Sequence, residues 1–399
     1  MLNITDLQQE EKVFPLFRLG FRPLFLFGGL FAVVAIGFWT LFLQGVVTGF
    51  SQRDPFWWHA HEMLFGFTTA IIVGFLLTAV QNWTGIPGLK STRLMLLFAL
   101  WLSARVLLFM GTTVPIAWTM SIDLLFLPLA AYFLARPIIR IKQYRNLIFV
   151  PILLLMTLTN AASYLPGLGF APTWQQQSFY GMVLLTIVLI SLLGGRVIPF
   201  FTANGTGQPK VAPWLWLEVV CALTLVCVFV LYFSGWAATF RLLPALLFLA
   251  AVAQFIRWFR WRPWVTINIP LLWSLHLAYS FVPVGLLLLG LSTVSAHVSQ
   301  SAALHALNTG AIGGMILAMM ARVSLGHTGR KLVVSKGIAV AFGAVLLAGL
   351  VRSILVAGAP QFVSLWWQIS GGLWCIGFAL FVVRYWPILT RPRLDGRPG

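Results

Sequence analysis

Apolar stretches long enough to cross a bilayer recur from one end of the chain to the other, divided by short polar turns. They run at approximately 24 to 43, 59 to 80, 94 to 111, 114 to 135, 147 to 165, 177 to 195, 213 to 233, 238 to 256, 268 to 291, 300 to 321, 334 to 357 and 363 to 386. A crossing helix needs about 20 apolar residues, so the pattern predicts an all-α integral membrane protein with about twelve transmembrane helices. The connections are short and rich in Pro and Gly, as in Thr84 to Gly88 or Pro166 to Pro172, and none is long or polar enough to separate domains. A single polytopic membrane domain over residues 1–399 is the expectation.

The charged positions orient this pattern. Of the 399 residues 60% are hydrophobic and only 9% charged, with a formal net charge of +18, where a soluble chain carries about a quarter charged residues. Lys12, Arg18 and Arg22 precede the first helix, Lys90 and Arg93 follow the second, and Arg136, Arg140, Lys142 and Arg145 follow the fourth. Arg196 and Lys210 follow the sixth, Arg257, Arg260 and Arg262 the eighth, Arg322, Arg330, Lys331 and Lys336 the tenth, and Arg384, Arg391, Arg393 and Arg397 the last. Basic residues confined to alternate loops mark the cytoplasmic side, with Arg53 and Arg241 as the exceptions. The charge therefore reports topology in a lipid bilayer and not nucleic-acid binding, and both termini are expected in the cytoplasm. The first apolar run follows a polar segment with Asp6, Glu10 and Glu11 and is too long for a signal-peptide core, so no cleaved presequence is expected. Cys221, Cys227 and Cys375 lie inside predicted spans without ligand-like spacing and are read as small hydrophobes.

An internal repeat connects two of the helices. Helix two carries His61, Gly66, Thr84 and Gly85, and helix ten carries His305, Gly310, Thr328 and Gly329 at the same internal spacing. Helix six, which runs the same way, ends in a comparable cluster of Gly194, Gly195, Arg196, Thr202, Ala203, Asn204 and Gly205. The arrangement suggests three pseudo-repeated four-helix units.

Polar ligands at a membrane boundary are costly and usually functional, which singles out His59, Ala60, His61 and Glu62 at the mouth of the run from Met63 to Val80. His61 and His305 lie at similar depth, roughly two turns from the outer surface at 1.5 Å rise per residue. Two imidazoles from different helices are a natural axial pair for haem iron. Gly66, Gly310, Gly313 and Gly314 would then leave room for a flat macrocycle, or else simply let helices pack closely. His59 points about 200° away from His61 on a regular helix, so it serves a different centre: copper, with His297 or Met63, or none, as an interfacial side chain. His276 in helix nine reads as a second metal ligand, a proton relay or a neutral histidine bonded to a neighbouring helix. His327, in the stretch from Arg322 to Arg330, belongs to a basic turn or to a site for haem propionates. Arg105, well inside helix three, needs a partner: a propionate, Glu62 or backbone carbonyls. Asp123 and Glu218 are the other intramembrane acids, candidates for proton transfer or for pairing with Arg105.

The segments Trp58-His59-Ala60-His61-Glu62-Met63-Leu64-Phe65-Gly66, Gly194-Gly195-Arg196-Val197-Ile198-Pro199-Phe200-Phe201-Thr202, His305-Ala306-Leu307 and Ala321-Arg322-Val323-Ser324-Leu325-Gly326-His327-Thr328-Gly329-Arg330 resemble the NnrS family over almost the whole chain. The resemblance implies a bacterial inner-membrane protein containing haem and copper, tied to the nitric oxide response, nitrosative stress and often denitrification. More remotely the layout resembles the catalytic subunit of haem-copper oxidases, with low-spin haem ligands on helices two and ten. Helices six and seven here carry no histidine, so the binuclear centre of that superfamily is missing. The cofactor-binding candidates are thus His61, His305, Arg105, Arg322 and His327, and the metal candidates His59, His61, His276 and His305. Three functions compete: haem-based protection from or sensing of nitric oxide, a quinol- or cytochrome-linked oxidoreductase consuming it, and secondary transport of a metal complex.

Overall fold

The computed structural model describes residues 11–47 and 54–397, so Asp6, Glu10 and Arg53 lie outside it. Among the described residues every regular element is helical, and twelve helices are long and apolar enough to cross a membrane. They are α1 (Phe21–Leu43), α2 (Pro55–Thr84), α3 (Ser91–Met110), α4 (Ile116–Arg140), α5 (Tyr144–Tyr164), α6 (Thr173–Thr206), α7 (Leu215–Phe233), α8 (Leu243–Arg260), α9 (Pro270–Val294), α10 (Gln300–His327), α11 (Lys336–Gly358) and α12 (Pro360–Thr390). The chain is a multi-pass membrane protein.

Several helices run further than hydropathy alone marks. α6 continues through Gly194, Gly195 and Arg196 to Thr206, and α10 through Arg322 to His327. The expected basic turn from Arg322 is therefore helical as far as His327. Polar residues end an apolar pattern without ending a helix; what ends a helix is a residue that can turn left-handed. Gly85 has φ of +69° and Gly329 +71°, each directly after a threonine whose hydroxyl donates to the carbonyl four residues back, Thr84 to Val80 (2.7 Å) and Thr328 to Ser324 (2.6 Å). The repeated Thr-Gly pair is a repeated helix terminator.

The same two helices share a second feature. Directly after His61, α2 widens into a π-helical segment, Glu62–Thr68, and directly after His305, α10 does the same over Ala306–Gly313. A third π segment, Val351–Leu355, lies in α11. Such insertions are rare and concentrate at functional sites.

By their contacts the residues group into two compact units. Unit 1 comprises Met1–Phe179, Met320–Leu332 and Phe381–Gly399, and unit 2 comprises Tyr180–Met319 and Val333–Leu380. In unit 1, α2 is apolar all round from Leu64 to Val80 and almost wholly buried, packed against α1 and α4, as expected of a helix without a polar face. A cluster of Trp39, Trp57, Trp58, Leu108 and Tyr164 covers the end that carries His61. In unit 2, α9 packs against α8 and against the π segment of α10. A Cβ on Gly310 would meet the Phe281 ring, and one on Gly349 of α11 would meet the Gly310 backbone, so these glycines set the helix spacing.

The last residues close the end of unit 1. Arg22, fully buried, donates to the carbonyls of Leu389 (3.0 Å) and Arg391 (2.8 Å). Arg393 donates to the His327 carbonyl (2.9 Å) and pairs with Asp395, and the Leu394 N–H reaches the Thr328 carbonyl (3.3 Å). Terminal carbonyls that a helix leaves unpaired are met here by arginines, the charge that its C-terminal dipole favours.

The Arg393 guanidinium beside Asp395 holds its carboxyl down to about 2 from an ordinary 3.8. A depressed folded value means that the stabilisation is present above the unfolded value and is lost as pH falls through about 2. At neutral pH the pair is intact, so Asp395→Asn should release the tail from Arg393 without unfolding the bundle. Limited proteolysis near the C-terminus at pH 7 should be faster in the variant, and equal rates would show that the pair does not hold the tail.

Candidate functional site

α2, α3, α4 and α5 converge on one buried polar network in unit 1. Arg105 of α3 reaches two carboxylates: Nη1 donates to Glu62 Oε1 of α2 at 2.8 Å, and Nη2 donates to Asp123 Oδ1 of α4. Asn160 of α5 donates from Nδ2 to Asp123 Oδ2 (2.7 Å), and the Tyr164 hydroxyl donates to the same oxygen (3.1 Å). His61 closes the ring, with Nδ1 3.0 Å from Glu62 Oε1 and Nε2 3.0 Å from Asn160 Oδ1 and 3.3 Å from Asp123 Oδ2. His61 and Glu62 are both 0% exposed and Arg105 and Asp123 4%, so solvent screens none of these charges.

The π segment makes this arrangement possible. Widening the turn frees backbone groups that must find other partners, and here the Trp101 indole donates to the Gly66 carbonyl (2.9 Å) and the Thr68 hydroxyl to the Met63 carbonyl (2.9 Å). The Arg105 guanidinium lies where a Cβ on Gly66 would be. Gly66 thus admits the cation that binds the carboxylate at the start of its own segment. The imidazole of His61 stacks on Trp57 at 4.5 Å and meets the edge of Tyr164. Trp57 is itself anchored by its indole N–H on the Ser163 carbonyl (2.8 Å).

Hydrogen-bond directions define where protons sit. Since Asn160 spends Nδ2 on Asp123, its Oδ1 accepts from His61, and Nε2 carries a proton. The contact between Nδ1 and Glu62 Oε1 then holds one further proton, shared by imidazole and carboxyl. With that proton, two carboxylates face one guanidinium and one imidazolium, and the buried cluster is neutral. Glu62 Oε2 meets no hydrogen-bond partner among the described residues, which leaves one acceptor of the network unused.

A second buried polar network, around Arg257, lies in unit 2. The charge pattern places Arg257 in a cytoplasmic loop, but it sits within α8 at 3% exposure. Nη1 donates to Glu218 Oε2 of α7 (2.9 Å), and Nη2 to the Ser191 hydroxyl (2.6 Å), Gln254 Oε1 (2.9 Å) and the Tyr279 hydroxyl. Glu218 therefore pairs with Arg257 and not with Arg105. The Gly194-Gly195 pair of α6 makes the room: a Cβ on Gly194 would meet the Tyr279 ring, and one on Gly195 the Glu218–Arg257 pair.

The remaining candidates are dispersed. His59 is stacked flat on Trp39, with ring centroids 4.4 Å apart. His276, buried in α9, has Nε2 2.8 Å from the Thr202 hydroxyl, and its carbonyl accepts from Trp258. His297 is exposed in the loop before α10. The His327 ring packs on Phe21, and Arg322, one of the propionate candidates, is half-buried in the same stretch of α10. His305, half-buried in unit 2, donates from Nδ1 to the Ser301 carbonyl (2.7 Å). Cys221, Cys227 and Cys375 form no disulfide. Among the described residues no three His, Cys, Asp or Glu side chains are grouped to hold a metal ion.

Asn160 and Tyr164 escape a sequence reading that weighs only residues able to carry charge or bind metals. Their signal is present: Asn160, Ser163 and Tyr164 put three polar groups on one side of an otherwise apolar span.

The model of the NnrS protein family matches residues 15–393. The chain belongs to the NnrS family. No curated protein matches it significantly. Membership supports a role in the nitric oxide response in general terms.

The haem that the resemblance implies can be tested against these residues. An axial imidazole offers one nitrogen to iron and usually donates from the other to a carbonyl or carboxylate. His61 engages both nitrogens with buried oxygens and does not fit that role as it stands. The glycines do not leave room for a macrocycle either: Gly66 faces Arg105 and Phe31, Gly310 faces Phe281, Gly313 faces Trp374, and Gly314 faces Ala278 and Leu346. Close packing is what they serve. His305 shows the orienting half of that role, with Nδ1–H on the Ser301 carbonyl.

Gly66→Ala should push the Arg105 guanidinium out of its seat between the carboxylates. Breaking a buried ion pair costs about 3–5 kcal/mol, and thermal unfolding in detergent should show a loss of that order. A loss below about 1 kcal/mol, the scale of a simple Gly to Ala change in a helix, would mean that Arg105 is not held by this contact.

Proposed function

We propose that this chain is a protein of the bacterial inner (cytoplasmic) membrane, both termini in the cytoplasm, that protects against or senses nitric oxide, with haem carried by His305 and a buried proton held between His61 and Glu62. The observation that carries this reading is the division of labour between the two repeated histidines. Each opens a π segment, yet one is oriented by a backbone carbonyl and the other is locked into a neutral ring of acids, amide and arginine. Held by His305, haem would supply an iron able to bind nitric oxide.

The protein's own contribution lies in unit 1. Arg105 keeps Glu62 and Asp123 close without repulsion, Asn160 and Tyr164 fix Asp123, and Trp57 fixes the plane of the His61 ring. The proton shared by Nδ1 and Oε1 is then the mobile element, because its transfer between the two atoms moves no other group. Copper, which the resemblance also implies, finds no ligand set among the described histidines, and no step is assigned to it.

The test compares two variants of the purified full-length protein. His305→Ala should abolish the haem absorption spectrum, whereas His61→Gln should retain haem and fail to restore nitric oxide tolerance to a strain lacking the protein. Equal loss of haem in both variants would return His61 to the position of axial ligand and sink the division of labour. Protection without turnover also requires that reduced protein take up about one equivalent of nitric oxide per haem and then stop; sustained anaerobic consumption would make it an oxidoreductase instead.

Secondary transport is the second reading, favoured by helix distortions at corresponding places in α2 and α10. Vesicles containing the protein and a pH-sensitive dye separate it from the first, because only a proton-coupled transporter would move protons when substrate is added.

A further inference from the structure

Unit 2 contains a cation that neither network uses. Arg352 lies in the π segment of α11, and among the described residues no acidic side chain pairs with it. Its Nη2 makes one long contact, 3.5 Å to the Ser301 hydroxyl of α10, while the guanidinium carbon lies 5.2 Å from the centre of the Trp367 ring of α12. Nη1 of Arg352 and Nε1 of Trp367 are both buried, and neither has a hydrogen-bond partner among the described residues. The Ser301 hydroxyl, at that long distance, is the side-chain acceptor for Nη2, while Nη1 and the indole N–H are left without one among the described residues.

A buried donor left unpaired is costly, and a buried charge left unpaired is more so. The contrast within the same chain sharpens the point. Arg105 has two carboxylates, Arg257 has Glu218 and four neutral oxygens, and Arg22 has two carbonyls. At Arg352 the charge meets only an aromatic face and one long contact to a neutral hydroxyl. Ser301 itself is exposed and stands in the first turn of α10. The Ser301 carbonyl holds His305 while its hydroxyl faces Arg352, so one residue joins the two.

We infer that Arg352, Trp367 and Ser301 form a binding site for a planar oxyanion, a group with two oxygens on one central atom such as nitrite, nitrate or a carboxylate. The flat guanidinium presents parallel N–H groups that match such a pair of oxygens. The indole N–H and the serine hydroxyl supply further donors from two other helices. Recognition by shape and hydrogen bonding predicts that nitrite and formate compete for the site and that chloride, which offers no pair of oxygens, competes poorly. The site uses neither ring nitrogen of His305, so its anion binding and the ligation assigned to that histidine are tested by different substitutions.

Titration calorimetry of the purified full-length protein in detergent tests this, with sodium nitrite as the probe and haem content recorded on the same sample. The same titration is run on protein as purified and after haem is stripped. Saturable binding in both states identifies a free anion as the natural occupant; binding in the stripped state alone identifies a carboxylate of the prosthetic group. Either result supports the site, provided that Arg352→Gln weakens nitrite binding at least tenfold and formate displaces nitrite. Arg352→Lys keeps the charge but loses the fork, so it should also bind more weakly. Thermal unfolding of each variant confirms that the fold is retained, and a folded Trp367→Phe variant provides an independent check by removing only the indole donor. Absence of saturable binding in both states, or equal affinity in wild type and Arg352→Gln, would overturn the proposal. A loss of haem without loss of nitrite binding in His305→Ala would support it by showing that Arg352, and not the histidine, holds the anion.

Discussion

A guanidinium buried among apolar helices must be neutralised where it stands, and the placement of Arg105 governs most of what surrounds it in unit 1. Its desolvation is offset only if more than one acceptor meets it, which brings Glu62 from α2 and Asp123 from α4 to the same point. Two carboxylates for one cation would leave a negative charge in a medium that cannot screen it, and the protonated His61–Glu62 pair supplies the balance. Asn160 and Tyr164 then use the remaining lone pairs of Asp123. The close approach of Arg105 to α2 requires a residue without a side chain, and Gly66 supplies it. Backbone distortion, glycine, acids and histidine are consequences of one buried charge.

Unit 2 solves the same problem with different residues. Arg257 receives one carboxylate, Glu218, which is partly exposed at 29%, and neutral oxygens from Ser191, Gln254 and Tyr279 complete its shell. One cation with one anion is already neutral, so no histidine is needed. The Gly194-Gly195 pair plays the role that Gly66 plays in unit 1, admitting a large side chain and an ion pair against the helix backbone. The two networks show why glycine clusters in these spans accompany buried charge: the long side chains that neutralise each other need space that only a missing Cβ provides.

The repeat between α2 and α10 is physical at both ends. A histidine precedes a π segment at one end, and a threonine with a left-handed glycine stops the helix at the other. Between these fixed points the two helices diverge in what they contact. The π segment of α2 meets indole and guanidinium donors, while that of α10 is packed against Phe281 and Gly285 of α9 and the Gly349 backbone of α11. A shared backbone geometry thus carries a polar site in one unit and a tightly packed joint in the other.

Twelve spans, the resemblance to the family and the matched spacing of His61 and His305 are legible in the sequence because each depends on local composition or on regular periodicity. The pairing of Arg105 with Glu62 or Asp123 is legible as a set of alternatives, since a buried charge demands a partner and the chain has few acids to offer. Which partner it takes is not, and neither is the pairing of Glu218 with Arg257, whose place near the end of an apolar run looks like a loop. Asn160 and Tyr164 carry no charge, and only Asp123 lying beside them gives them a role. The roles of the repeated histidines also differ for reasons outside their own helices: His61 is enclosed by oxygens from α2, α4 and α5, whereas His305 answers to a carbonyl of its own helix. Hydropathy, charge alternation and spacing are properties of the chain taken one segment at a time, so the sequence alone determined the number of spans, their expected direction and the candidate residues. Which helix faces which, and hence which charges neutralise each other, depends on side chains from distant segments filling the same space, and only the tertiary structure decided that.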